Sequence, residues 1–461
     1  MITLPPPLTR LLLRAAAALA LSGGAHANCL DEEKLDTLPA LSAPAASAAP
    51  AKQLEPRALL QQLVGDALAR SHGIGAARLL AEASEQDVGE AEAGKKPQAF
   101  LTGTVSPSLD AGKGGSGSSG GSLQARAGIT LSQTLYDGGR SDRLVDWRRQ
   151  QAEAARFGLL STQEQLTLAT TSMAFERSRF RMQAVIYGQN VRKMACLVQA
   201  LEAIVAADKG RTSELVQARK QLQQAELQQV QAQSQARQVE ARKRRVVGDG
   251  LPGTEGMATL LLAVPELPAV LSAAERSVDI HQLAASARAL TEIARVVEAG
   301  NKPQVSWNVG GNALLTAGGG GASGNQRNLG LNAGVTLSVP LLNPAIGYSS
   351  QAARKRAAAA DLQRAEALEQ RRQRIVDVHE QAGAAFERLR RVGLVLRDSD
   401  RLRNFTLQQW QQMGRRSLFD VIAAESDHYN LRVQYVNALH DGQQMNATLT
   451  SLGTGLSDWL K

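Results

Sequence analysis

Aromatic residues make up only 3% of this 461-residue chain, and its two cysteines are Cys29 and Cys196. One cysteine pair is too few for a disulfide scaffold or a cysteine-rich zinc or iron–sulfur site, and it leaves the redox compartment undecided. With so few aromatics, and with long stretches dominated by Ala, Gln, Arg and Leu, the composition favours long helices over a compact aromatic core. No apolar run reaches ~18 residues, which excludes a mature protein held by a transmembrane helix. The mean hydropathy of −0.21 agrees. A membrane β-barrel passes this test, because its alternating strands leave little trace in hydropathy.

Catalytic and metal-binding patterns are equally scarce. The six histidines are His26, His72, His281, His379, His428 and His440, and none sits at metal-ligand spacing from another His or a Cys. His379-Glu380 lacks the second His of a zincin. Gly112-x-Gly114-x-x-Gly117 matches a dinucleotide fingerprint by letter only, since it opens no helix. Gly89 to Lys95 imitates a phosphate loop, but Lys96 stands where a Ser or Thr must reach magnesium. No nucleophile lies in register with a base. No enzyme activity and no cofactor are expected. The net charge is +9, with basic runs at Arg242-Lys243-Arg244-Arg245, Arg371-Arg372 and Arg390-Arg391. Base-stacking aromatics are missing beside these runs, so they read as solvated helix faces and not as a nucleic-acid site.

Residues 1–27 have the form of a secretory signal. Arg10 and Arg14 supply positive charge, Leu11–Leu21 an apolar stretch, and Ala25-His26-Ala27 an A-x-A cleavage site. His26-Ala27-Asn28 is no lipobox, so a lipid anchor at Cys29 is not expected. Residues 28–56 are rich in Ala and Pro, can bury little, and read as a flexible leader.

The rest of the chain repeats itself. Glu92-Ala93-Gly94-Lys95-Lys96-Pro97-Gln98 returns as Glu298-Ala299-Gly300-Asn301-Lys302-Pro303-Gln304. Ala127-Gly128-Ile129-Thr130-Leu131-Ser132 returns as Ala333-Gly334-Val335-Thr336-Leu337-Ser338, at the same offset of 206 residues. Gly210-Arg211-Thr212-Ser213 is echoed by Gly414-Arg415-Arg416-Ser417. Such order at near-constant offset divides the chain into two copies of one unit, 57–268 and 269–461.

Proline is absent between Pro107 and Pro252, between Pro268 and Pro303, and after Pro344. These gaps permit very long helices. Ile375, Val378, Ala382, Ala385, Leu389, Val392 and Leu396 alternate spacings of three and four, a heptad seam. Ala152, Leu159, Leu166, Met173, Phe180, Tyr187, Met194 and Leu201 hold one seven-residue lane in the first copy. Helices over about 140–208 and 345–411 would each reach roughly 100 Å at 1.5 Å per residue. Such lengths suit a spacer or a conduit.

After each Lys-Pro-Gln the period changes to two, giving hairpins over about 98–133 and 304–339. Leu101, Val105 and Leu109, and on the return Leu123, Ala125, Ala127, Ile129 and Leu131, alternate with Ser, Thr, Gln and Arg126. In the second copy Val305, Trp307, Val309 and Ala313, then Leu329, Leu331, Ala333, Val335, Leu337 and Val339, alternate with Gln304, Ser306, Asn308, Asn312, Asn328, Asn332, Thr336 and Ser338. Runs of ~10 residues match a tilted membrane-spanning strand. Four strands cannot close a barrel, and an open edge in lipid costs several kcal/mol per unpaired group. The strands must be pooled among copies, and three copies give the smallest barrel with a wet lumen. The alternatives are a soluble two-hairpin sheet packed on helices and a periplasmic coiled-coil adaptor or scaffold. The adaptor would need a lipoyl-like or barrel domain and an inner-membrane anchor, and neither is visible.

Over 57–457 the chain resembles the TolC family of outer-membrane channel-tunnels. The most specific carriers are Leu131-Ser132-Gln133-Thr134-Leu135-Tyr136-Asp137-Gly138-Gly139, its counterpart Leu337-Ser338-Val339-Pro340-Leu341-Leu342-Asn343-Pro344, and Gly414-Arg415-Arg416-Ser417-Leu418-Phe419-Asp420-Val421 with Ala424-Glu425. The last is most similar to members serving type I protein secretion, with drug-efflux members close. Pro344 departs from the pattern, standing where the first copy has Gly138. The resemblance implies a mainly α chain with membrane β: a homotrimer with a twelve-stranded barrel in the outer-membrane lipid and a helical tunnel in the periplasm. It implies a periplasmic adaptor and an inner-membrane ABC or RND transporter as partners, with no cofactor and no catalysis. It places a periplasmic gate at Asp420, with a closing partnership between Glu214 and Arg416. It places adaptor-docking turns at Gly210, Arg211 and Ser213 and at Gly414, Arg415 and Ser417. Three Asp420 carboxylates near one axis would raise one another's pKa and attract cations. Asp420 equally suits a helix start, where acids are favoured by the dipole.

Overall fold

The computed structural model describes residues 55–110, 120–250, 253, 256–317, 326–413 and 416–461. The signal segment, most of the leader with Cys29, the two glycine-rich tips, and Gly414 and Arg415 lie outside them.

Helices α1 (Pro56–Arg70) and α2 (His72–Ala93) lead into strands β1 (Gln98–Asp110) and β2 (Gly120–Tyr136). Helix α3 (Arg140–Ala207) and helix α4 (Thr212–Val247) follow. The order then recurs: α5 (Leu267–Ala274), α6 (Val278–Ala299), β3 (Gln304–Ala317), β4 (Gln326–Ser338), α7 (Pro344–Met413) and α8 (Leu418–Leu452), with a short α9 (Leu456–Leu460) at the end. The expected long helices are α3, of 68 residues, and α7, of 70. The expected hairpins are β1–β2 and β3–β4.

Two compact units divide these elements. One comprises Met1–Ser71, Glu164–Ala273 and Gln373–Lys461, the other His72–Gln163 and Ala274–Arg372. Each draws on both sequence repeats, because the long helices run out of one unit into the other.

The second unit holds the sheet, ordered β1-β2-β3-β4 with antiparallel neighbours throughout. Leu101 lies opposite Ile129, Ile129 opposite Gly311 and Gly311 opposite Leu331. Because side chains alternate with period two, this register gathers all four apolar rows on one face. Thr102, Gly128, Asn312 and Gly330 line up on the other. The apolar face is open in one protomer: Leu101 is 81% exposed, Leu329 89% and Leu331 94%.

The sheet's base is fixed by polar contacts. Trp307 Nε1 donates to Gln133 Oε1 at 3.2 Å, and Gln133 Nε2 donates to the Lys95 carbonyl at 2.9 Å. Gly138 has φ +67°, and a Cβ there would lie 2.4 Å from Lys302 Cβ, so only glycine fits this turn. Asp137 then caps α3, accepting from Gly139 N at 3.1 Å and Ser141 N at 2.7 Å. At the corresponding place Pro344 is the first residue of α7, where a missing N–H costs nothing.

In the first unit the buried seams are partly polar. Ile375, Val378, Ala382, Ala385 and Leu396 of the heptad seam are buried, while Leu389 and Val392 are half-buried. The part of the α3 lane in this unit is buried at Met194 and Leu201 and only half-buried from Leu166 to Tyr187. Along the same stretch Thr167, Thr170, Thr171, Ser178 and Asn190 are buried instead. A reading by apolar spacing alone passes over these residues. Glu164 anchors α9, accepting from Leu456 N at 2.5 Å, Ser457 N at 3.0 Å and Ser457 Oγ at 2.7 Å.

Candidate functional site

The two helix-end turns singled out in the sequence share one core. Met194, Leu197, Val198 and Leu201 of α3 pack with Leu215 and Ala218 of α4, Leu407 of α7, and Leu418, Val421 and Ile422 of α8. The turn after α3 and the turn before α8 are thereby held together within one unit.

In the first turn Asp208 caps a single 3-10 turn, Lys209–Arg211, and accepts from Gly210 N at 2.9 Å. Thr212 Oγ1 donates to the Lys209 carbonyl at 2.7 Å. These local bonds fix Gly210 and leave Arg211 and Ser213 exposed. Glu214 lies in the first turn of α4, where its charge suits the helix dipole. Its Oε2 is buried with no hydrogen-bond partner among the described residues. Arg219 of α4 pairs with Glu202 of α3 at 2.7 Å across the turn.

In the second turn Ser417 and Asp420 form a capping box at the start of α8. Ser417 Oγ accepts from Phe419 N at 3.0 Å, and Asp420 Oδ2 accepts from Ser417 N at 3.3 Å. Arg416 Nε donates to Gln409 Oε1 at 3.2 Å, and its Nη1 lies 3.9 Å from Asp420 Oδ2. Within the protomer Arg416 therefore faces Asp420 and Gln409, and no ion pair joins it to Glu214 among the described residues. Gly414 and Arg415 fall outside the described residues.

Behind the second turn lies a buried ionic cluster to which the sequence reading gave no role. Glu425 of α8 is fully buried, with Lys193 Nζ of α3 at 3.6 Å and Arg403 Nη1 of α7 at 3.4 Å. Arg403 Nε also donates to Asp400 Oδ1 at 2.9 Å. Glu425 thus ties three helices together. Its only signal in the sequence was its place in the Ala424-Glu425 pair. One turn on, burial pushes the His428 imidazole down to about 3, reinforced by the Arg403 and Arg432 charges, so it is neutral at physiological pH. A second cluster joins Arg177 and Arg181 to Glu240 beside buried Lys243, whose ammonium burial and the Arg177 charge push down to about 8. Among the described residues no group of His, Cys, Asp or Glu could hold a metal ion.

No curated protein matches the chain by sequence. Solved structures match its fold. CusC is 16% identical, with 88% of this chain and 96% of CusC covered at a TM-score of 0.75. The outer membrane protein VceC of Vibrio cholerae is 17% identical, with 86% and 96% covered at 0.71. The CmeC outer membrane channel of Campylobacter jejuni is 13% identical, with 90% and 91% covered at 0.70. Residues 63–249, from α1 to just past the end of α4, match the model of the outer membrane efflux protein family. Over these residues the chain is similar to the outer membrane efflux protein family, and its fold is that of the solved outer-membrane channels.

Proposed function

We propose that the chain is the outer-membrane component of a tripartite export system: a passive homotrimeric conduit, with type I protein secretion as its task. The sheet carries this reading. One protomer exposes a continuous apolar face and leaves β1 and β4 as open edges. In lipid such edges cost several kcal/mol per unpaired group, and pairing β1 of one copy with β4 of the next removes them all. Three copies make twelve strands, with the Ser, Thr, Asn and Gln face turned to a wet lumen. The helices then extend into the periplasm. The turns at Gly210, Arg211 and Ser213 and at Gly414, Arg415 and Ser417 are the docking points for an adaptor that links to an ABC or RND transporter.

The gate is the Ser417 turn. Three Asp420 carboxylates around the axis form its acidic ring, and Arg416 and Glu214 act across it on opening. Protein cargo is supported by the Gly414–Val421 run and Ala424-Glu425. The family description, which names efflux, favours drug or metal export as the second reading.

Membrane fractionation with unheated gel mobility tests the conduit. Heat-resistant trimers in detergent, from the outer-membrane fraction, are expected, and a monomer soluble without detergent would refute it. A deletion strain separates the cargoes. Loss of a secreted protein supports type I secretion, while drug or metal sensitivity with an unchanged secretome supports efflux.

A further inference from the structure

The register of the sheet isolates one charge. Arg126 of β2 lies opposite Thr104 of β1 and Leu314 of β3, and its neighbours on the same face of its own strand are Gln124 and Gly128. The diagonal positions on β1 and β3 carry Thr, Ser and Asn side chains. β2 is an inner strand, so all of these neighbours come from the same chain and assembly cannot supply an acid among them. Arg126 is exposed and takes part in no ion pair among the described residues. Among the ladder residues whose side chains are described, no other ionisable residue lies on the polar face.

Arginine on a face lined mainly by hydroxyls, amides and glycines needs a reason. A structural ion pair is excluded by its neighbours. Snorkelling to a lipid headgroup is excluded by its face, which is opposite to that of Leu101, Ile129 and Leu331. On the trimeric barrel proposed above, three guanidiniums point inward at one level. A twelve-stranded barrel with 4.8 Å strand spacing and ~40° tilt has a radius of roughly 12 Å, and an extended Arg side chain spans about half of that. The three charges then lie within about one Debye length of the axis at physiological salt, so their fields overlap across the lumen.

We propose that Arg126 sets the charge preference of the barrel segment: with its two symmetry mates it forms a cationic ring that draws anionic groups, carboxylates or phosphates, through the outer-membrane part of the conduit. The inference rests on the conduit reading. It favours cargo that presents negative charge on leaving.

Purified trimers in planar bilayers under a potassium chloride gradient test it. Arg126→Gln should move the reversal potential towards potassium, with a several-fold rise in the potassium-to-chloride permeability ratio. Arg126→Glu should move it further, and Arg126→Lys should leave it near the native value. Citrate added on the barrel side should reduce native current and have little effect on Arg126→Gln. Native-like trimer mobility on unheated gels confirms that each variant is assembled. Unchanged selectivity and citrate response in assembled Arg126→Gln and Arg126→Glu trimers would overturn the ring and leave the conduit standing. Failure of the native protein to form channels would overturn both.

Discussion

The Asp420 carboxylate accepts a hydrogen bond from the backbone N–H of Ser417 at 3.3 Å, so the acid assigned to the gate also closes the N-terminus of α8. Capping and gating make different demands on the side chain. A cap needs an acceptor oxygen, whereas a cation-binding ring needs charge. Asp420→Asn keeps the oxygen and removes the charge, and Asp420→Ala removes both. Block by di- or trivalent cations in single-channel recordings should weaken in both variants. Thermal stability should fall by about 1 kcal/mol in Asp420→Ala and much less in Asp420→Asn. Cation block that survives in Asp420→Asn would reduce this residue to a cap. Arg416 is exposed and its 3.9 Å pair with Asp420 is worth little stability. Arg416→Ala should therefore raise open conductance without destabilising the trimer.

Lys243 gives a pH dependence with a defined sign. Its side chain is buried beside Arg177 and Arg181, with Glu240 as the nearby acid. The folded pKa of about 8 lies below the ordinary 10.5, so between these values the unfolded chain holds a proton that the folded chain lacks. Stability contributed by this site therefore rises with pH from about 8 to 10.5, and the full penalty is present below 8. Lys243→Met should stabilise the protein by about 2–3 kcal/mol at pH 7, an advantage that disappears above pH 10.5. Denaturant midpoints followed by helical circular dichroism at the two pH values measure this. A destabilised Lys243→Met at pH 7 would show that the ammonium is held by a favourable contact.

Much of the fold was legible because its periods are clean. Proline gaps left room for α3 and α7, whose expected spans of about 140–208 and 345–411 lie within a few residues of Arg140–Ala207 and Pro344–Met413, and alternation gave the faces of the strands. The burial of Thr167, Thr170, Thr171 and Asn190 along α3 was not legible, since small polar residues in a helix carry no apolar signal. The Glu425 hub was hidden for a related reason. Lys193, Arg403 and Glu425 are far apart in sequence, and each alone reads as a solvated helix charge. The resemblance set Arg416 against Glu214, while the capping geometry of the turn sets it against Asp420 within one protomer. Capping partners three or four residues apart are local physics, which is why Asp420 was legible as a helix start.

The two faces of the sheet make opposite predictions for the same substitution. Leu331 and Leu314 are both leucines on neighbouring strands, β4 and β3. Leu331 belongs to the apolar row with Gly311 and Ile129, and Leu314 to the polar row with Arg126 and Asn328. If the apolar face meets lipid, Leu331→Arg places a charge near the middle of the bilayer at a cost of about 2–4 kcal/mol per copy. A trimer suffers that cost three times, so outer-membrane insertion should fail and the protein should collect as a soluble or aggregated species. Leu314→Arg puts the same charge into water beside Arg126, and trimers should assemble at near-native yield. Fractionation and unheated gel mobility of the two variants side by side read the difference. Equal tolerance of both would mean that the exposed leucines face no lipid. Equal failure would mean that the polar face is packed and not wet.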